Sequence, residues 1–235
     1  MTALHNRGSA EVGELATRWP GDPDGLRLVP VPLAPEIRLH LATDAIVLWA
    51  RMEAEAGSAM AAPYWASAWP GGQALARFVL DRPELVAGRR VMDLAAGSGV
   101  AGIAASLAGA SSVSASDIDP YAVAAIGENA RANGVAVAAT CASMLDVDID
   151  ADVVLVGDAF YSPPMAETAM TVLERATARG ARVLVGDPGR ADLPRDRLDV
   201  LATYWAPYAA AIGDAELDWL HVLQLKGSRG GATVP

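Results

Sequence analysis

Two carboxylates flank a glycine-rich stretch of this chain and could together hold a nucleoside-like ligand. Asp93 opens the run Asp93-Leu94-Ala95-Ala96-Gly97-Ser98-Gly99, and Asp117 closes the apolar stretch that follows. Glycines in such a loop let the backbone come close to a ligand, and an acid about twenty residues further on accepts ribose hydroxyls. Gly97-Ser98-Gly99-Val100-Ala101-Gly102 matches the dinucleotide fingerprint letter for letter, so a nicotinamide cofactor is one reading. Asp93 points the other way, because a carboxylate at the mouth of the first strand repels a pyrophosphate.

A ligand with a ribose, an adenine and an ammonium but no phosphate suits that charge arrangement better. S-adenosylmethionine is such a ligand. The second reactive group lies in Asp152-Val153-Val154-Leu155-Val156-Gly157-Asp158-Ala159-Phe160-Tyr161. Chemistry in an open α/β sheet collects beyond the carboxyl ends of the strands, which is where Asp158 and Tyr161 fall. Capping of the helix after Pro163 and Pro164 is the structural alternative for Asp158, and the spacing disfavours it. The three histidines and one cysteine show no metal-ligand spacing.

These residues need a sheet to position them. Short apolar runs predict strands at 90–94, 112–116, 136–141, 152–157 and 181–186, with helices at 99–108, 120–132 and 164–179. Pro120 after Asp119 starts one helix, and Asn133-Gly134 stops it. Alternation of this kind predicts an α/β fold with a doubly wound, mostly parallel sheet covered on both faces. Val200 to Tyr204 and Leu217 to Leu225 read as an antiparallel C-terminal hairpin joined through Gly213-Asp214, and Gly230 to Pro235 as a frayed end. Upstream, Gln73 to Asp81 reads as a helix, Glu36 to Trp49 as a strand or turn before a short helix, and Pro30 to Pro35 as an extended segment. Residues 1 to about 27 read as a loose extension. The expected organisation is an N-terminal extension and cap over 1–60 and a ligand-binding domain over 61–228.

Composition narrows the classes of function. A net charge of −10 argues against nucleic acid as the main partner, and no apolar run reaches the length needed to span a bilayer. The N-terminus lacks the apolar core of a secretory signal, and the single cysteine, Cys141, fits a reducing cytoplasm. The expectation is a cytoplasmic monomer.

The chain resembles the class I, seven-stranded, Rossmann-like methyltransferases, whose first motif runs from an acid through small residues to G-x-G. Asp93 to Gly99 follows it, with Ala95 where many members carry glycine. Asp158-x-x-Tyr161 resembles the signature of methyltransferases that modify lysines of non-histone proteins. Pro63-Tyr64-Trp65-Ala66-Ser67-Ala68-Trp69-Pro70-Gly71-Gly72, Pro35 to His40, and Val185-Gly186-Asp187-Pro188-Gly189-Arg190 resemble segments of the electron transfer flavoprotein β-subunit lysine methyltransferases, loosely grouped as nicotinamide N-methyltransferase-like.

This resemblance implies an S-adenosylmethionine-dependent N-methyltransferase. Its acceptor would be a protein lysine, such as one on electron transfer flavoprotein β subunit, or a small amine. It implies that Gly97, Gly99 and Ala95 line the cofactor, that Asp93 lies near its methionine part, and that Asp117 binds the ribose beside Ile118 at the adenine. Ser143 and Met144 would meet the adenine edge, whereas Cys141 reads as core packing. Trp65 and Trp69 read either as core aromatics or as indole faces for a sulfonium. Gly71 and Gly72 would present amides to the cofactor carboxylate. Asp158 would capture and orient the acceptor amine with Tyr161 fixing its approach, and Asp187 to Arg190 reads as an acceptor entrance or a tight turn.

Overall fold

The structure is a computed structural model and describes residues 25–206 and 219–227. The expected loose N-terminal stretch up to residue 24, Leu217, the Gly213-Asp214 connection and the end at Gly230 to Pro235 lie outside the described residues.

Seven strands form one sheet: β3 (Arg90–Leu94), β4 (Ser112–Asp117), β5 (Ala138–Cys141), β6 (Val153–Gly157), β7 (Arg182–Asp187), β8 (Leu198–Trp205) and β9 (Trp219–Leu225). Their order across the sheet is β5-β4-β3-β6-β7-β9-β8. The first five pair in parallel, whereas β9 runs antiparallel to both β7 and β8. The order reverses direction between β3 and β6, which opens a crevice at their carboxyl ends.

The apolar runs are continuous because both faces of the sheet are covered. Val91, Val153, Leu155 and Leu184 pack under α2 (Pro70–Asp81) and α3 (Val100–Leu107). Met92, Leu94, Val154, Val156, Val183 and Val185 pack on the other face against Ala169, Val172, Leu173 and Ala176 of α5 (Pro163–Ala178). Alternate residues of a strand thus enter two different cores, as the period of two requires. The remaining helices are α1 (Ala45–Ala56) and α4 (Pro120–Ala132). Asp44 caps the first by accepting from Ile46 and Val47, and Asp119 caps the second by accepting from Tyr121.

The N-terminal part differs from expectation. Leu26–Pro30 is a strand, β1, paired antiparallel with β2 (Arg38–Ala42), and Pro30 to Pro35 leads into the turn between them. Val31 donates to the Ile37 carbonyl at 2.9 Å, and both side chains are fully buried, so apolar burial closes the ribbon. Two asparagines of the α4 region fasten it. Asn129 Oδ1 accepts from the His40 amide at 2.8 Å, and Asn133 Oδ1 from the Arg38 amide at 2.9 Å. Asn129 also donates to the Ser98 carbonyl at 2.9 Å, which ties the ribbon to the glycine loop.

One crossing decides where the site forms. The start of α2 lies against the ends of β6 and β7, so close that a Cβ on Gly71 would sit 2.1 Å from the Gly186 carbonyl oxygen. The reverse addition at Gly186 would meet the Gly71 carbonyl oxygen at 2.0 Å. No side chain fits at either position.

Candidate active site

The glycine loop turns sharply at the end of β3. Ala95, Gly97 and Gly99 all have positive φ, at 50°, 53° and 80°. A left-handed alanine costs about 1–2 kcal/mol, so Ala95 holds backbone strain at the site. The turn leaves the loop amides engaged within the protein. Ala96 donates to the Ser116 carbonyl at 3.1 Å and Gly99 to the Ala96 carbonyl at 2.8 Å. Gly97 donates to Asp117 Oδ2 and Gly102 to Asp93 Oδ2, at 2.9 Å and 2.8 Å. A pyrophosphate would need such amides for itself.

Asp93 is buried, and removal from water raises its carboxyl to about 7, against the lowering effect of the Gly102 amide. The negative charge of Asp117 adds to the rise. A cationic group brought alongside would favour the ionised form again, which makes the position suited to an ammonium or sulfonium. Asp117 also accepts from the Asp119 amide at 3.0 Å. The next residue, Ile118, leaves 73% of its surface in water at the end of β4. An uncovered apolar side chain beside an acid at a strand end fits the face of an adenine. The residues present therefore fit S-adenosylmethionine: an acid for the ribose, an apolar ledge for the base and a buried acid for the cationic part.

Met144 is buried beyond β5 and Ser143 is half-buried, its hydroxyl accepting from the Leu145 amide. Cys141 is exposed, which corrects the expectation of core packing. It sits on β5, a four-residue strand at the edge of the sheet among the described residues.

Asp158 has φ of 59° and stands where β6, β7 and α2 meet. Its amide donates to the Gly186 carbonyl at 2.9 Å. Its Oδ2 accepts from the Gly72 amide at 2.9 Å, and the Gly71 amide is a second backbone donor to it. Asp158 is thus a cap, of α2 rather than of the helix that follows it in sequence. The amides of Gly71 and Gly72, expected to face the cofactor, meet Asp158 instead. Its Oδ1 accepts from Arg190 Nη1 at 2.8 Å. Burial raises its carboxyl, and Arg190 and the two amides oppose the rise.

Arg190 entered the sequence reading only as the end of an acceptor entrance or tight turn, without its contact to Asp158. The same Nη1 donates to Asp187 Oδ2 at 3.1 Å, and Asp187 Oδ1 accepts from the Gly189 and Arg190 amides. Asp187-Pro188-Gly189-Arg190 is a tight turn whose last side chain folds back into the site. The only sequence signal for it was an acid and an arginine three apart at a strand end.

The aromatic residues separate into two groups. Trp65 is buried with Leu48, Met52 and alanines of α4, its ring stacked on Tyr121 at 6.3 Å. Trp69 is half-buried, 5.8 Å from Tyr64, and donates through Nε1 to the Tyr64 carbonyl. Tyr64 and Tyr161 leave 65% and 63% of their surfaces exposed. Burial of its hydroxyl and the neighbouring Tyr64 and Asp117 hold the Tyr161 phenol above its ordinary value, so it stays a neutral donor. The structure thus gathers Asp93, Ala95, Gly97, Asp117 and Ile118 around one loop, and Gly71, Gly72 and Asp158 around the crossing. It sets Trp65 apart in the core.

Among the described residues no cluster of His, Cys, Asp and Glu could hold a metal ion. A cavity of about 380 Å³ lies at the opposite end of the sheet, lined by Arg89, Arg90, Asp150, Asp152, Arg179 and Arg182 among others, away from these residues. None of the described helices is long and apolar enough to cross a membrane.

Comparison with known proteins gives consistent matches. Residues 74–158 match the family described as ribosomal protein L11 methyltransferase (PrmA). The chain is 44% identical over 162 residues to the electron transfer flavoprotein beta subunit lysine methyltransferase of Danio rerio, covering 68% of this chain and 62% of that one. It is 37% identical over 175 residues to the homolog of that enzyme in Caenorhabditis elegans, covering 67% of this chain and 71% of that one. The chain spans under two thirds of the length of the vertebrate relatives, 62% for Danio rerio and 65% for Xenopus laevis. A solved structure assigned as a SAM-dependent methyltransferase from Streptococcus mutans superposes with a TM-score of 0.50 at 11% identity, covering 66% of this chain and 49% of that one. That likeness concerns the fold alone.

Proposed function

The chain belongs to the family of the electron transfer flavoprotein β-subunit lysine methyltransferases, and we propose that it transfers a methyl group from S-adenosylmethionine to the side-chain amine of a protein lysine. The observation that carries the choice of cofactor is the engagement of the loop amides by Asp93, Asp117 and the loop's own carbonyls. It favours a ligand without phosphate and removes the support for a nicotinamide dinucleotide.

Bound S-adenosylmethionine supplies a methyl already activated on a sulfonium. Asp117 would receive the ribose hydroxyls, Ile118 would cover one face of the adenine, and Asp93 would lie by the cationic methionine part. Met144 and Ser143 would border the base. Methyl transfer is an in-line displacement, so these residues hold the donor while Asp158 and Tyr161 fix the direction of the incoming amine. Gly71, Gly72 and Arg190 occupy three of the four lone-pair sites of the Asp158 carboxylate, which leaves one to receive an ammonium hydrogen. A lysine must lose a proton from a pKa of about 10.4 before it can attack, and the nearby sulfonium and burial favour its neutral form. Tyr64, Trp69 and Tyr161 supply an aromatic rim along which an alkylammonium can approach. The exposure of both tyrosines suits a protein side chain, which needs an open mouth. Within this reading the acceptor is the β subunit of electron transfer flavoprotein.

The test is incubation with tritiated S-adenosylmethionine and purified electron transfer flavoprotein, with a cell extract run in parallel and divided into protein and small-molecule fractions. Label on a lysine of the β subunit is expected. Label confined to the small-molecule fraction would move the acceptor to a metabolite amine, and no label at all would sink the reading. Asp158→Ala is expected to lower transfer by roughly 100-fold or more while cofactor binding survives. Near-normal turnover in that variant would remove Asp158 from the acceptor site.

A further inference from the structure

Asp158 is not an isolated acid, and its partner has no role in the reading above. The geometry points to Arg190 as a positioning residue of the acceptor site, which keeps the Asp158 carboxylate ionised and in place for an arriving alkylammonium. This rests on the methyl-transfer reading.

Arg190 is itself held from two directions. Its backbone amide donates to Asp187 Oδ1 at 2.8 Å, and its Nη1 bridges Asp187 Oδ2 at 3.1 Å and Asp158 Oδ1 at 2.8 Å. Its side chain is only 11% exposed, as is that of Asp158, while Asp187 is fully buried. The turn that carries it is fastened again where Arg195 Nη2 donates to the Gly189 carbonyl at 2.6 Å. A guanidinium so anchored is a fixture rather than a mobile plug that substrate must expel.

Charge explains what the fixture does. Two carboxylates face one guanidinium, so the three side chains carry one net negative charge. Asp187 uses Oδ1 on the amides of its own turn and Oδ2 on Arg190. Asp158 is engaged in the same way, but it keeps 11% of its side chain exposed where Asp187 keeps none, so an arriving cation meets the surplus at Asp158. The groups bearing on Asp158 are Arg190 from the turn, Asp187 through it, and the Gly71 and Gly72 amides from α2. On the sheet side His221 of β9 pairs in register with Asp187, and burial together with Arg195 keeps its imidazole toward the neutral form. Without Arg190, burial would drive Asp158 toward its neutral acid, and the cluster would lose its attraction for a cation.

The experiment follows the Asp158 carboxyl carbon by NMR through a pH titration of the free protein, in wild type, Arg190→Gln and Arg190→Lys. Arg190→Gln is expected to raise the midpoint by about one unit or more, and Arg190→Lys to restore it at least in part. A smaller shift, or a lysine variant no different from the glutamine variant, overturns the proposal. Should Arg190→Gln not fold, the wild-type protein decides. The guanidinium nitrogens of Arg190 must then titrate with the same midpoint as the Asp158 carboxyl, and their failure to do so overturns it.

Transfer of label to electron transfer flavoprotein is the second readout. Arg190→Gln is expected to lower kcat/KM about 30-fold and to move the acid limb of the pH profile upward, with S-adenosylmethionine affinity within about twofold. Parallel loss of cofactor affinity, or an unmoved acid limb, would make the role merely structural and overturn it. If wild type transfers no label, the methyltransferase reading fails, while the titration still decides whether Arg190 governs Asp158.

Discussion

The loop after β3 and the crossing beyond β6 each hold a buried carboxylate with backbone amides, yet they are assembled from opposite kinds of contact. In the loop, Asp93 and Gly102 are nine residues apart and Gly97 and Asp117 twenty apart. At the crossing, Gly72 and Asp158 are 86 residues apart, and Arg190 and Asp158 are 32 apart. The loop is a local conformation that one βαβ unit can form by itself. The crossing exists only when α2, β6 and the turn after β7 have all docked. Local closure leaves a readable spacing, whereas long-range closure leaves none.

The first way to break the comparison is a methyl group. Gly186→Ala places a Cβ 2.0 Å from the Gly71 carbonyl oxygen, where both partners are backbone and neither can yield. We expect a loss of about 4 kcal/mol or more, read as failure to give a cooperative denaturation transition. A variant within 1 kcal/mol of wild type, on the order of a tolerated surface change, would show that α2 does not cross β7 this closely.

Asp93 tests the loop through pH. Its folded-state value of about 7 lies above that of an unfolded aspartate, so the folded protein keeps a proton that the unfolded chain has lost. Stability from this group is therefore highest below about pH 4, falls as pH rises between about 4 and 7, and levels off above. Asp93→Asn keeps an acceptor for Gly102 and removes the titration. The variant is expected to exceed wild type by roughly 2–4 kcal/mol at pH 8 and to converge with it near pH 4. Parallel denaturation curves of the two proteins across that range would refute this, and the variant should bind S-adenosylmethionine more weakly.

The smallest effect sharpens the contrast. Gly97→Ala in the loop meets nothing within 4 Å and suffers only from its φ of 53°. The expected cost is about 1 kcal/mol, the left-handed penalty alone. If it matched Gly186→Ala, the loop would be as sterically closed as the crossing. Ala95, already at φ of 50°, shows that the loop tolerates such a strained residue.

Much of the fold was legible because it rests on local patterns. The strand at 90–94 coincides with β3, and the helix at 120–132 with α4, since Pro120 and Asn133-Gly134 mark its ends. The antiparallel hairpin was readable from two apolar runs after the last parallel strand. Glu36 to Trp49 was readable as a strand or turn before a helix, whereas β1 and its pairing with β2 were missed because part of what holds the ribbon, Asn129 and Asn133, comes from the distant α4 region. Cys141 was misplaced because strand order, which makes β5 an edge, is not written in β5 itself. Trp65 and Trp69, four residues apart in one motif, ended in a core and at a rim, a division set by what packs on each.

By itself the sequence determined the family, the glycine loop and the acids that border it, because these depend on residue types at short spacing. Only the tertiary structure decided what Asp158 does. Its carboxylate caps a helix that begins 88 residues upstream, where Pro70 opens α2, and meets an arginine from the far side of the next strand. The reason is burial: a carboxylate taken out of water must find donors wherever the packed chain brings them, and no local spacing records which donors those will be.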